Sequence, residues 1–402
     1  MKENTAAELA DALLAESRKR ILESGGTDDE EALKIIEDTV FEGGESLDLK
    51  EIERLIRRIF ARTRRRTGIL DIYTSMDAVN EIMINGRDNI FIEDRNGIRR
   101  IDDSFDTTEE LEDVIRNIAS SVHREINEMN PILDARLPDG SRVNAVYKNI
   151  AQNGPILTIR KFSSDRLTIG EMIKLGTLTS ECADFLKIVI ESGYNIFISG
   201  GTSSGKTTFL NSLASFIPSS ERLIVIEDSS ELQIRNIPNL VQMECHNANT
   251  MGLGEITMDM LIRTSLRMRP DRIIVGEVRG GEVADMLQAM NTGHSSLSTG
   301  HGNSVRGMLR RLEAMYLMAA SMPMDAIRSQ IVEGIDIMIH LGRMPDGSRR
   351  VMEIQELLEF KDGNYLLNPL FSMNEDMELI PSGNRIVRRN RMIWKGINDD
   401  RL

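Results

Sequence analysis

Apolar positions along the first 66 residues recur at helical spacing: Leu9, Leu13 and Leu14, then Leu33, Ile36 and Val40, then Ile52, Leu55, Ile56 and Ile59. Residues three and four apart share one helix face, so this segment predicts amphipathic helices. Gly25-Gly26 and Gly43-Gly44 punctuate them, and Asp48-Leu49-Lys50-Glu51 has the form of a capping box opening the last one. The polar face of that helix carries Arg54, Arg57, Arg58 and Arg62 and runs into Arg64-Arg65-Arg66, whereas residues 28–31 are acidic. Both charge blocks read either as solvated surface or as an arm that docks on a partner or a membrane surface.

Over 67–160 the period changes. Short β-favouring runs at 81–84, 89–93, 98–102, 132–137, 142–147 and 155–160 predict strands, with hairpin signals at Asn85-Gly86 and Asn96-Gly97 and a turn at Pro138-Asp139-Gly140. Thr107-Thr108-Glu109-Glu110 is a second capping box, opening a helix expected to reach Asn127. The sum is a small α+β domain, followed by an expected linker at 161–179. From 180 onward, helical stretches alternate with buried strands at 194–198, 223–226, 241–243, 272–275 and 296–299, the pattern of a mainly parallel α/β sheet. Runs at 335–341 and 350–355, joined through Pro345-Asp346-Gly347, predict a closing hairpin, so that this domain spans 180–373. The tail at 374–402 reads as polar and irregular.

Composition adds limits. A chain of 402 residues exceeds one ordinary core. No apolar run is long enough for a bilayer span, the first residues lack a signal-peptide pattern, and the two cysteines, Cys182 and Cys245, lack metal-site spacing. These features predict a cytosolic protein with reduced thiols. The net charge of −14 and 4% aromatic content argue against a nucleic-acid partner.

Candidate chemistry begins at Gly200-Gly201-Thr202-Ser203-Ser204-Gly205-Lys206-Thr207, a G-x-x-x-x-G-K-T pattern directly after a strand. Glycines let backbone amides and the following helix N-terminus face an anion, Lys206 reaches β- and γ-phosphates, and Thr207 offers its hydroxyl to Mg²⁺. With the adjoining Thr208, these residues form a candidate ATP site.

Two strands downstream end in acids, Glu227 after 223–226 and Glu277 after 272–275. Phosphoryl transfer to water needs charge neutralisation and a group that orients or deprotonates the water. Glu227 is assigned as water-positioning base and Glu277 to Mg²⁺ directly or through water, roles the sequence leaves exchangeable. His294 and His301 flank a strand; each is either a phosphate-bonding imidazole or an ordinary structural histidine, and no third ligand is placed to make zinc. Among Arg263, Arg267, Arg269, Arg279, Arg306, Arg310 and Arg311, one or two are candidates to act on a phosphate.

Together the blocks GGTSSGKTT, IVIEDSSEL, SLRMRPDRIIVGEVRGGE and AMNTGHSSLSTGHGNS resemble the Walker A, Asp-box, atypical Walker B and His-box segments of the type II/type IV secretion ATPases. The preceding EIMINGRDNIFIE, DARLPDGSRVNA and GPILTIRKF resemble the same family, in particular its CpaF/TadA branch, which powers Flp-type (tight adherence) pilus assembly. The resemblance spans 67–371. It implies a RecA-like C-terminal ATPase domain, a PAS-like N-terminal domain and a homohexameric ring. It further implies a cytoplasmic location at the inner face of the membrane, reached through platform proteins and, indirectly, pilin subunits. By position, Lys206 and Thr207 hold phosphate and Mg²⁺, Glu227 and Glu277 are the catalytic acids, His294 and His301 fill the His box, and Arg142 and Arg160 reach the nucleotide from the N-terminal domain. Ser295-Ser296 and Gly302 depart from the family pattern. Three other readings remain: a motor of the same superfamily serving protein secretion, competence or twitching, a RecA-like nucleic-acid translocase, and a nucleotide-gated scaffold without turnover.

Overall fold

The computed structural model describes residues 2–25, 28–44, 47–64, 68–94, 97–161, 167–246 and 254–397. Of the features above, Gly26, Arg65, Arg66, Asn96 and the stretches 162–166 and 398–402 lie outside the described residues. The chain divides into two compact units, Met1–Ser164 and Asp165–Leu402.

The first unit opens with α1 (Lys2–Glu23), α2 (Asp29–Gly43) and α3 (Leu49–Arg64). Leu13, Leu14, Ile36, Val40, Ile52 and Ile59 form their shared core. At the start of α3 the capping box closes in both directions, with the Glu51 amide donating to Asp48 at 2.8 Å and the Asp48 amide to Glu51 at 2.9 Å. The arginine face of α3 has a partner within the unit. Arg54 donates to the carbonyl of Asp102 at 3.2 Å, Arg58 lies 3.6 Å from the Asp103 carboxylate, and Arg62 bonds Asp106 and the carbonyl of Ser104. Asp103 is buried and also accepts from the Tyr73 hydroxyl, so these cations offset the cost of desolvating it.

After α4 (Leu70–Thr74) come β1 (Glu81–Asn85), β2 (Ile90–Asp94), β3 (Gly97–Arg100), α5 (Thr108–Ser121), β4 (Ile132–Arg136), β5 (Arg142–Val146) and β6 (Ile156–Arg160). The strands form an antiparallel sheet in the order β3-β2-β1-β6-β5-β4. Ile82, Ile84, Val143, Ala145, Leu157 and Ile159 are buried with Leu111, Val114, Ile115 and Ile118 of α5, leaving the alternate residues on the opposite face. Helix α5 stops at Ser121 rather than Asn127, because His123 takes a φ of 55° and the Arg124 amide folds back to Ala119 at 2.9 Å. At Gly86, with φ 79°, a Cβ would lie 2.2 Å from the Asn153 carbonyl, so only glycine fits that turn.

The second unit runs α6 (Ile169–Lys174), α7 (Ser180–Glu191), β7 (Ile196–Gly200), α8 (Lys206–Leu213), β8 (Leu223–Glu227), β9 (Leu240–Glu244), α9 (Met258–Ser265) and β10 (Arg272–Val275). It continues with α10 (Val283–Asn291), β11 (Ser295–His301), α11 (Val305–Ala319), α12 (Met324–Gly334), β12 (Ile337–Arg343), β13 (Arg349–Lys361), β14 (Asn364–Met373), β15 (Leu379–Pro381) and α13 (Asn390–Trp394). One sheet has the order β15-β14-β13-β12-β7-β11-β10-β8-β9, parallel from β12 to β9 and antiparallel from β12 to β15. Strands β7, β8 and β10 are buried throughout, as expected for parallel strands covered on both faces.

Three segments differ from the sequence expectation. Residues 167–179, within the described part of the expected linker, are structured: a complete Thr168–Glu171 capping box opens α6, and Met172 and Leu178 enter the core of the second unit. The closing hairpin is extended by β14 and β15. The described part of the tail, 374–397, also packs into the domain, with Ile386 and Met392 in its core. The fully buried Glu356 accepts from the amides of Val387 and Arg388, and Arg391 pairs with Asp336 at 2.9 Å. Polar tail residues concealed these contacts because their partners lie far away in sequence.

Candidate active site at the carboxyl edge of the parallel sheet

Strand β7 lies between β11 and β12, while the next strand in sequence, β8, sits on the far side of β10. That reversal opens a crevice at the carboxyl ends of the strands, the ordinary ligand position in such sheets. Register brings the chemistry to this edge: Gly200 pairs with His301, and Val275 with both Ser298 and Ile226.

The glycine-rich loop links β7 to α8. Gly205 precedes the helix with φ 88°, and Ser203 has φ 58°. At Gly200 a Cβ would stand 2.4 Å from Ser204 Oγ and 2.8 Å from the Leu341 carbonyl. Ser204 Oγ is buried without a hydrogen-bond partner. Thr202, Ser203 and Thr208 are exposed, Gly201 and Thr207 partly buried. Lys206 is 7% exposed, and its ammonium reaches back to the carbonyls of Gly200 at 3.3 Å and Gly201 at 3.2 Å and to His301 Nδ1 at 3.2 Å. Burial lowers its pKa. A buried cation inside a loop that tolerates no side chain at Gly200, beside an unsatisfied hydroxyl, fits an anionic ligand such as a phosphate.

Glu277 follows β10 and gathers positive charge. Oε1 lies 2.9 Å from His301 Nε2 and 3.9 Å from Lys206 Nζ, while Oε2 lies 2.7 Å from a guanidinium nitrogen of Arg279. Lys206 contacting Nδ1 of His301 fits the tautomer with its proton on Nε2, facing the carboxylate. Burial and the neighbouring Lys206 lower the His301 pKa, so the ring is held neutral near pH 7.

Glu227 ends β8. It is 3% exposed, and its Oε1 accepts from the amides of Glu231 at 2.9 Å and Leu232 at 3.0 Å. Burial pushes its carboxyl up to about 7, against the opposing effect of those amides, with Glu231 and Glu244 adding to the rise. A Cβ on Gly276 would come within 2.9 Å of Glu227 Cγ, so the glycine lets the ends of β8 and β10 close together.

His294 is not brought to this edge. It precedes β11, whose far end carries His301; seven residues at about 3.3 Å each separate the two by roughly 23 Å. Its Nδ1 contacts Thr292 Oγ1 at 3.1 Å and the Ala289 carbonyl at 3.3 Å, at the end of α10. Within this chain His294 therefore lies apart from the glycine-rich loop. Arg142 and Arg160 belong to the first unit, where they face each other across β5 and β6. Glu81 stands opposite Arg160 on its other side, across β1, and supplies a counter-charge within the sheet.

Sequence reasoning missed Arg349. Its Nε lies 3.4 Å from the Ser203 carbonyl, and its Cγ would be 3.5 Å from a Cβ on Gly205. The signal was the Pro345-Asp346-Gly347 turn: a turn after a strand parallel to β7 must lie at the phosphate-loop edge.

A family model described as type II/IV secretion system protein matches residues 65–357. The chain belongs to that family. A probable conjugal transfer protein TrbB of Sinorhizobium fredii is 33% identical over 295 residues, covering 71% of this chain and 86% of the relative. An uncharacterized protein of Methanocaldococcus jannaschii is 44% identical over 236 residues, 57% of this chain, which spans only 33% of that relative's length. Among solved structures, the Legionella pneumophila ATPase DotB superposes with TM-score 0.53 at 22% identity, covering 75% of this chain and 83% of DotB. That likeness shows the fold of this secretion-family member, a RecA-like α/β domain preceded by a smaller α+β domain.

Proposed function

We propose that this chain is a Mg²⁺-dependent ATPase, the cytoplasmic motor of a type II/type IV-like secretion system. The observation that carries this reading is the convergence of Lys206, Glu277 and His301 at the phosphate loop, with Glu227 on the neighbouring strand end. Lys206 exchanges its loop carbonyls for β- and γ-phosphate oxygens, and Gly200 to Thr208 enclose the anion. Thr207 and Glu277 would hold Mg²⁺, which supplies neutralisation of phosphate charge when bound. Glu227, poised near 7, takes a proton from the attacking water. Its buried carboxylate must first exchange the amides of Glu231 and Leu232 for that water. His301 senses the change in charge between Lys206 and Glu277.

Arg142 and Arg160 contact the triphosphate more strongly than the diphosphate, so hydrolysis shifts the first unit relative to the second. In a homohexameric ring at the inner face of the cytoplasmic membrane, that motion drives Flp-type (Tad) pilus assembly or protein secretion through platform proteins. Support for the pilus branch is the motif resemblance in 67–371. Relatives named for conjugal transfer and type IV secretion support the wider secretion role.

Phosphate release by purified full chain, measured alongside its size with and without a non-hydrolysable ATP analogue, tests the proposal. Turnover accompanied by a ring-sized species is the expected result. ATP left intact in every oligomeric state would refute it in favour of a nucleotide-gated scaffold, and turnover requiring DNA or RNA would favour a translocase.

A further inference from the structure

Arg279 joins the two carboxylate-bearing strand ends. Its Nε and one terminal nitrogen lie 2.9 and 2.7 Å from Oε2 of Glu277, and its other terminal nitrogen lies 3.5 Å from Asp228. Asp228 is the residue after Glu227. It opens the short loop whose Glu231 and Leu232 amides hold the Glu227 carboxylate. The backbone around Arg279 is pinned separately: Glu282 accepts from the amides of Arg279 at 2.5 Å and Gly280 at 2.9 Å, and the Val278 amide donates to Thr299 at 2.9 Å. The long side chain, 59% exposed, is therefore the part free to change partners.

We infer that Arg279 is a positioning residue that couples Glu277 to Glu227 through Asp228. While the guanidinium bridges the two carboxylates, the 228–232 loop stays closed over Glu227. New charge arriving beside Glu277 competes for Arg279, loosens Asp228 and lets the loop release the buried carboxylate. A guanidinium fork suits this task because it serves two oxygens on different elements at once; a single ammonium does not. The Asp228 contact is exposed on both sides, so the coupling is modest, within about five-fold in an equilibrium constant.

Hydrogen exchange of the nucleotide-free full chain tests the link without relying on hydrolysis. Arg279→Ala and Asp228→Asn should each speed exchange of the Glu231 and Leu232 amides by up to about five-fold, and the double variant should add little. The substitutions change charge in opposite directions, so a simple field effect on exchange would move the amides oppositely. Unchanged protection, opposite effects or additive effects would overturn the inference.

The kinetic arm rests on the ATPase reading. Arg279→Ala, which frees the loop without waiting for nucleotide, should raise kcat by up to about five-fold while leaving KM for ATP nearly constant, and Arg279→Lys should fall between wild type and Arg279→Ala. A raised KM with unchanged kcat would instead make Arg279 a substrate-binding group and overturn the coupling. If wild-type protein hydrolyses no ATP, the ATPase reading fails, while the exchange result still decides the coupling.

Discussion

His301 Nε2 lies 2.9 Å from Oε1 of Glu277. This contact separates two histidines that the sequence presents as a pair. His301→Ala removes a ring lying between Lys206 and Glu277, and should lower ATP turnover by about 100-fold, the usual scale for a group that organises proton or charge transfer. His294→Ala, at the opposite end of β11, should change turnover by less than about two-fold, as for substitutions outside the site. Steady-state phosphate release measures both. Equal losses would return His294 to the site.

Glu227→Gln should retain ATP binding and lose hydrolysis, measured by titration with a fluorescent nucleotide and by phosphate release. In wild-type protein, kcat/KM should rise with pH through about 7, because the base must be ionised in the free enzyme.

Stability should show the opposite trend. The folded state holds this proton up to about pH 7, whereas an ordinary glutamate releases it near 4.5. Stabilisation present below pH 4.5 is therefore lost as pH rises to about 7, by at most about 3 kcal/mol. Thermal melts of Glu227→Gln should lack that decline.

Arg142 and Arg160 are cross-strand neighbours. Arg160→Ala should weaken ATP binding more than ADP binding, by roughly ten-fold against about two-fold, if the pair responds to the γ-phosphate. Isothermal titration with each nucleotide decides it. Equal losses would remove the arginines from the proposed power stroke.

The ordered tail carries a stability prediction. Met392 is 1% exposed within the core of the second unit, so Met392→Ala should destabilise that unit by about 2–5 kcal/mol. Denaturant melts monitored by circular dichroism would reveal it. An effect below about 0.5 kcal/mol, the scale of surface substitutions, would show that the tail is not a packing element.

Sequence alone determined the features whose information is local. The phosphate loop is one contiguous pattern, its glycine spacing imposed by close backbone approach, and period-two and helical spacing placed most strands and helices. Each apolar run followed by an acid placed Glu227 at the end of β8 and Glu277 just past the end of β10. Tertiary structure alone decided which distant groups meet. Parallel register set His301 beside Gly200 and left His294 at the other edge. Antiparallel register set Arg142 opposite Arg160. The chain return after β12 delivered Arg349 to the loop, and burial of Glu356 and Met392 drew a polar tail into the core. Those outcomes depend on strand order and on the desolvation of particular groups, which no run of neighbouring residues encodes by itself.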